Sequence, residues 1–145
     1  MVKLTTPVCD FGAKAIEFSL PDCADYLNGD KKKKYNLEQC RGDKGLLVMF
    51  ICNHCPYVQS IQQDLIKAVK NIKQHGINTV AIMSNNWEVY PDDSPENLLQ
   101  QKITYHFDFP YLIDKTQEIA KKYGAVCTPD FFGYNNKLEL QYRGR

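Results

Sequence analysis

Residues 46–60 read LLVMFICNHCPYVQS, and the rest of the chain can be placed around them. Leu46 to Ile51 is a short apolar run without alternation, the pattern of an internal strand covered on both faces. Pro56 follows the second of two cysteines, where a helix tolerates proline because its first N–H groups have no partner inside the helix. From there Val58, Ile61, Leu65, Ile66, Val69 and Ile72 recur at three- and four-residue steps, an amphipathic helix that closes near Gly76. A strand therefore runs into a helix with Cys52 and Cys55 at the junction. Unpaired N–H groups and partial positive charge at a helix N-terminus bias a cysteine toward thiolate. Cys52 is the candidate nucleophile, and Cys55, one turn in and expected to be the more buried, is the candidate resolving thiol. His54 between them is placed to donate a hydrogen bond or positive charge to the Cys52 thiolate, or to face solvent and tune nothing.

On the upstream side, Ala15 to Leu20 alternates weakly and stops at Pro21, a short peripheral strand. Cys23 to Lys34 is polar and turn-like, and Tyr35 to Leu37 can pair back on the first strand as a hairpin. Downstream, Thr79 to Met83 is a second apolar, β-branched run, so strand, helix and strand form a βαβ unit with parallel strands. The polar loop SNNWEVYPDDSP, residues 84–95, follows at the carboxyl end of that strand, where open α/β sheets place their sites. Ser94 caps a helix through Tyr105, Phe109 to Ile113 is a brief apolar segment, and Asp114 to Tyr123 is a further helix ending at Gly124. Phe131, Phe132 and Tyr134 form one strand, Asn135 to Lys137 a turn, and Leu138 to Tyr142 the antiparallel return.

The 145 residues suit one domain, 1–145, with residues 1–45 as an N-terminal extension and 46–145 as the core. With 18 basic and 17 acidic residues, the balance argues against a nucleic-acid surface. The one concentrated charge is the lysine run at 31–34, read as a solvated loop or a patch for an anionic partner. No window approaches a membrane span and the first residues lack a signal peptide, which sets the expected compartment as a reducing cytoplasm. There, the six cysteines are free, metal-bound or catalytic in preference to a disulfide scaffold.

Tetrahedral zinc needs four ligands, whereas Cys9, Cys23, Cys40 and Cys127 are isolated and His75 and His106 are distant in sequence. Dithiol chemistry is the leading expectation, with no metal and no cofactor, and a zinc clip stays open beside it. Thr128 and Pro129 precede an aromatic-rich strand, where a proline belongs at the strand start. Cys127 beside them is a third thiol near the pair or a buried small apolar residue. Trp87 and Tyr90 form an apolar rim or cover the sheet edge; Asn85, Asn86 and Glu88 receive no role.

Taken together, FICNHCPYV, FPYLID, YGAVCTPDFF and the final YRG resemble the thioredoxin fold. More narrowly, the chain is similar to the redoxin branch with alkyl-hydroperoxide-reductase-like and TlpA/ResA-type proteins. The resemblance implies a central mixed sheet flanked by helices, Cys52 as exposed nucleophile, Cys55 as resolving thiol, and Thr128 and Pro129 as a cis-proline turn opposite them. A histidine before the second cysteine is similar to the strongly oxidising DsbA family, though Asn53 replaces its proline. Thioredoxins proper carry a buried aspartate in the preceding strand, and here that position falls near Leu46. Peroxiredoxins carry an alcohol ahead of the peroxidatic cysteine, where this chain has Val48 to Ile51. The resemblance also implies a last helix on the sheet face opposite the Pro56 helix, for which Arg145 leaves no room; the expectation is a truncated C-terminus, a chain that is part of a longer protein, or a homodimer through the uncovered face. The expected activity is thiol-disulfide exchange with protein or small-thiol disulfides and an external electron donor. A thiol peroxidase and a non-enzymatic switch are the alternatives.

Overall fold

The computed structural model describes residues 9–30 and 32–145, so the start of the lead-in and Lys31 of the lysine run lie outside the described residues. The chain forms an α/β thioredoxin-like fold on a five-stranded sheet in the order β5-β4-β3-β6-β7. The apolar run of the central stretch is β3 (Gly45–Phe50), and the periodic helix after it is α3 (Pro56–Gln74). β4 (Ile77–Met83) and β5 (Tyr111–Ile113) extend the sheet in parallel from β3. β6 (Asp130–Asn135) and β7 (Leu140–Gly144) extend it antiparallel on the other side. Register is fixed by pairs such as Leu47 with Thr79 and Val48 with Phe132. A one-residue slip would exchange the two faces of β3, both of which are packed.

Ahead of the sheet, β1 (Ser19–Leu20) pairs antiparallel with β2 (Tyr35–Asn36), the expected hairpin in shorter form. Two elements depart from the sequence reading. The segment taken as turn-like opens with α1 (Cys23–Leu27), capped by Asp22, whose carboxylate accepts the amide of Ala24 at 3.0 Å. Leu37, expected in the hairpin, begins α2 (Leu37–Cys40), closed by a capping box between Asn36 and Gln39. Both helices are shorter than two turns, so no apolar period can develop in them. α4 (Pro95–Thr104) has Ser94 as its cap with the hydroxyl accepting from the amide of Asn97, and α5 (Glu118–Tyr123) ends at Gly124 in the left-handed region.

Two apolar layers sandwich the sheet. On one face, Leu46, Val48, Phe50, Val80, Ile82 and Phe132 pack with Ile119 and Tyr123 of α5 and with Leu37 and Phe18 from the N-terminal segment. On the other, Met49, Ala81, Met83 and Tyr111 pack with Val58 and Val69 of α3 and Leu98 of α4. The face opposite α3 is thus covered, contrary to the expectation. The thinly covered strip lies on α3's own face, over Phe131 and Gly133 of β6, with Tyr142 of β7 57% exposed. The reason is the pleat: Phe131 sits opposite Met49, which faces α3, and is only partly buried against that layer. Among the described residues, no helix is long and apolar enough to cross a membrane.

Candidate functional site

β3 delivers the dithiol to the carboxyl edge of the sheet. The amide of Ile51 still donates to the carbonyl of Ile82 at 3.1 Å, and the chain then leaves the strand to form the turn Cys52 to Cys55. Cys55 is the N-cap of α3, with no side-chain cap bond of its own. The loop after β4 crosses to the same edge, and its short 3-10 turn, Pro91–Asp93, carries Asp93 beneath the cysteine turn.

Asp93 is the hub of the site and is wholly buried. Its Oδ1 accepts the amides of Asn53 at 2.7 Å and His54 at 3.0 Å. Its Oδ2 is bonded to Nδ1 of His54 and accepts from the side-chain amide of Asn85 at 3.0 Å. Asn53 is held further by its Nδ2 donating to the carbonyl of Asp92 at 2.9 Å. The His54 ring stacks on Tyr90, with centroids 4.6 Å apart and planes 4° from parallel.

Across the turn stands Thr128, joined to Pro129 by a cis peptide bond. Its Oγ1 lies 3.3 Å from Sγ of Cys52, and its carbonyl accepts from Sγ of Cys55, also at 3.3 Å. One residue thus meets both thiols from the sheet side, and β6 begins two residues later. A partly open cavity of about 350 Å³ adjoins it, lined by His54, Tyr90, Asn85, Val126, Cys127 and Thr128.

The structure brings together all five residues expected at the site, Cys52, His54, Cys55, Thr128 and Pro129, with three corrections to their environment. Cys52 is the more buried thiol, at 0% exposure against 7% for Cys55. Its thiol is not lowered but pushed up to about 11, chiefly by burial. The hydroxyl of Thr128 and the amide of Cys55 oppose that rise, and the negative charges of Asp93 and Cys55 add to it. The amides of Asn53 and His54, which should have favoured the thiolate, point at Asp93. His54 likewise gives its Nδ1 to Asp93, so the expected aid to Cys52 is not made through that nitrogen.

Sequence reasoning missed Asp93 itself. Its signal was position: an acid just ahead of the Ser94 cap, in the loop at the carboxyl edge of the strand beside β3. Asn85 gains a role as a donor to it, while Asn86 accepts the amide of Glu88 and shapes the loop. Of the two aromatics, Tyr90 forms the rim, and Trp87 packs edge-on against Tyr26 of α1 as cover. Cys127 is half-buried on the cavity wall, not a core residue, and burial pushes its thiol up.

The donor atoms of Cys52, His54 and Asp93 lie within 4.8 Å of one another, the one such trio among the described residues. A thiolate, an imidazole and a carboxylate are a donor set that zinc accepts. Both oxygens of Asp93 are already occupied by N–H donors, however, so a metal would have to displace the bond to His54.

Comparison with known proteins bears on the family and the fold. No curated protein matches the chain. A crystal structure of an uncharacterized conserved protein from Geobacillus kaustophilus is 38% identical, with a TM-score of 0.87 over 96% of this chain and 70% of that one. The thioredoxin domain of a thiol-disulfide oxidoreductase from Bacteroides vulgatus shares the fold at 15% identity, TM-score 0.73, over 95% of this chain and 90% of that one. A peroxidoxin from Mycobacterium tuberculosis shares it at 14% identity, TM-score 0.71, over 92% of this chain and 84% of that one. The family model described as AhpC/TSA matches residues 11–143. With its paired thiols at the strand-helix junction and a thioredoxin-like sheet beneath them, the chain belongs to the AhpC/TSA family of redox-active thiol proteins.

Proposed function

We propose that the protein is a thiol peroxidase that reduces a small hydroperoxide through Cys52 and closes the product with Cys55. The observation that carries this is the Cys52 sulfur, fully buried and 3.3 Å from the hydroxyl of Thr128. A sealed sulfur admits a molecule the size of a peroxide more readily than a folded disulfide substrate. The alcohol absent from the residues before Cys52 is supplied by Thr128 from across the turn. The family match supports the same reading.

In the first step the Cys52 thiolate attacks the distal peroxide oxygen. An S–O bond forms, the O–O bond breaks, sulfur loses two electrons, and the proton released by the thiol ends on the departing alkoxide. Cys55 then attacks the sulfenic sulfur, forming the disulfide and expelling water. An external dithiol, the unidentified electron donor, restores both thiols by exchange. No cofactor enters, and a reducing cytoplasm would supply the donor. A second copy of the chain over the β6–β7 strip is the remaining partner in this reading.

Thiol-disulfide exchange is the second reading, favoured by the cavity beside Thr128 and by the slight exposure of Cys55. The two separate in a Cys55→Ser protein. Peroxide should then leave a sulfenic acid on Cys52 that a dimedone probe captures, at a rate that climbs with pH as the raised thiol ionises. Exchange predicts instead a mixed disulfide with added substrate and no sulfenic acid on Cys52 at any pH.

A further inference from the structure

We propose that Asp93 tunes the reactivity of Cys52: its carboxylate is the positioning group that fixes the cysteine turn and His54, and its negative charge beside the sulfur adds to burial in opposing a second charge there. The functional meaning rests on Cys52 being the attacking sulfur, but the measurement below does not.

The geometry gives Asp93 both parts. Its oxygens accept three N–H bonds, from the amides of Asn53 and His54 and the side chain of Asn85, and Oδ2 is also bonded to Nδ1 of His54. Asp93 is wholly buried, so no water screens it from the sulfur that lies within 4.8 Å. A second negative charge there is opposed directly. The amides of Asn53 and His54, in the turn ahead of α3, donate to Asp93.

Other groups face Cys52 as well. Thr128 and the amide of Cys55 favour its thiolate, while Cys55 disfavours it. His54 stands on the same turn, and Tyr111 of β5 is close enough for its own ionisation to be opposed by Cys52. The net effect is a thiol pushed up to about 11, with burial as the largest cause and Asp93 the largest opposing charge. The His54 ring is held between its bond to Asp93 and its stacking on Tyr90.

The direct test is Asp93→Asn, which removes the charge but keeps an oxygen for the two backbone amides. Alkylation of reduced Cys52 by iodoacetamide would be followed by peptide mass spectrometry from pH 6.5 to 11. We expect the midpoint to fall and the rate at pH 7.5 to rise about threefold for each unit it falls, because thiolate gained outweighs nucleophilicity lost. Asp93→Ala should in addition speed hydrogen exchange at the amides of Asn53 and His54. A purely structural Asp93 would lower the melting temperature of Asp93→Asn and leave the Cys52 midpoint where it was, which overturns the proposal.

Should Asp93→Asn fail to fold, the wild-type protein can still overturn the proposal. Its Cys52 midpoint must lie above 9.0, the ordinary thiol value, and nitrogen NMR must find the proton of His54 on Nδ1. A midpoint at or below that value, or an unprotonated Nδ1, overturns the proposal. So does zinc that copurifies with the reduced protein and is lost in Asp93→Asn, since the carboxylate would then be a ligand. If the midpoint shifts as expected but peroxide oxidises Cys52 in neither protein, the peroxidase reading falls and the role of Asp93 stands.

Discussion

Thr128 meets Cys52 through its hydroxyl and Cys55 through its carbonyl, and the two contacts can be separated chemically. Thr128→Val keeps the shape and the carbonyl but removes the hydroxyl that favours the Cys52 thiolate. Peroxide oxidation of Cys52 should slow by about tenfold, since a hydrogen bond to a charged group is worth ~1.5 kcal/mol, while the melting temperature stays close to wild type. Stopped-flow rates on the reduced protein would check this. The same sulfur sets the pH dependence. With its thiol raised to about 11, Cys52 should react slowly at pH 7 and faster at every step toward that value. A plateau reached near pH 8 would contradict the burial argument. The thiols and the Thr128–Pro129 pair were legible in the sequence because spacing and strand position carry them. Asp93 was not, because its bonds to the turn cross from one sheet-edge loop to another and leave no periodic trace.

At the scale of elements, legibility followed length. α3 and α4 are long enough for a period and carry proline or Ser94 at their starts, and the buried strands stand out as apolar runs. α1 and α2 held too few residues, and what places α1 is a tertiary clamp. Asp22 caps α1, accepts the amide of Tyr111 of β5 at 2.8 Å, and pairs with Lys102 of α4 at 3.0 Å. Behind it, the Tyr111 hydroxyl donates to Gln101 at 3.0 Å, and Gln101 donates to Gln62 of α3 at 3.1 Å. Asp22→Ala leaves the Tyr111 amide and the Lys102 ammonium without their acceptor in a buried setting. It should cost about 3 kcal/mol, the range for breaking one side of a buried pair. Urea denaturation would measure the loss. Ser94→Ala, which removes only the α4 cap, should cost about 1 kcal/mol. Equal costs for the two would mean that the Asp22 network adds nothing beyond capping.

The whole molecule carries an alkaline liability that follows from its buried thiols. Cys23 is pushed up to about 12 and Cys40 and Cys52 to about 11, each from 9.0 and each mainly by burial. A group whose pKa is raised by folding binds its proton more tightly in the folded state. Its contribution is complete below the unfolded value and is lost as pH climbs through the folded one. Tyr111, Tyr123 and Tyr134 are raised as well and act in the same direction above pH 10. Stability should therefore hold through pH 8 and fall between about pH 9 and 12, read as a dropping urea midpoint. A midpoint unchanged at pH 10.5 would contradict this.

The central claim, that Cys52 takes an oxidant and Cys55 closes on it, is tested most directly by a single turnover. Reduced protein would be mixed with a stoichiometric amount of hydrogen peroxide and quenched in acid at intervals for intact-mass and peptide analysis. The account predicts a species lighter by two hydrogens, with Cys52 joined to Cys55, forming faster as the pH is raised from 7 to 10 and absent from Cys52→Ser. A protein that stays reduced over that time, or a disulfide that forms as fast without Cys52, would contradict it.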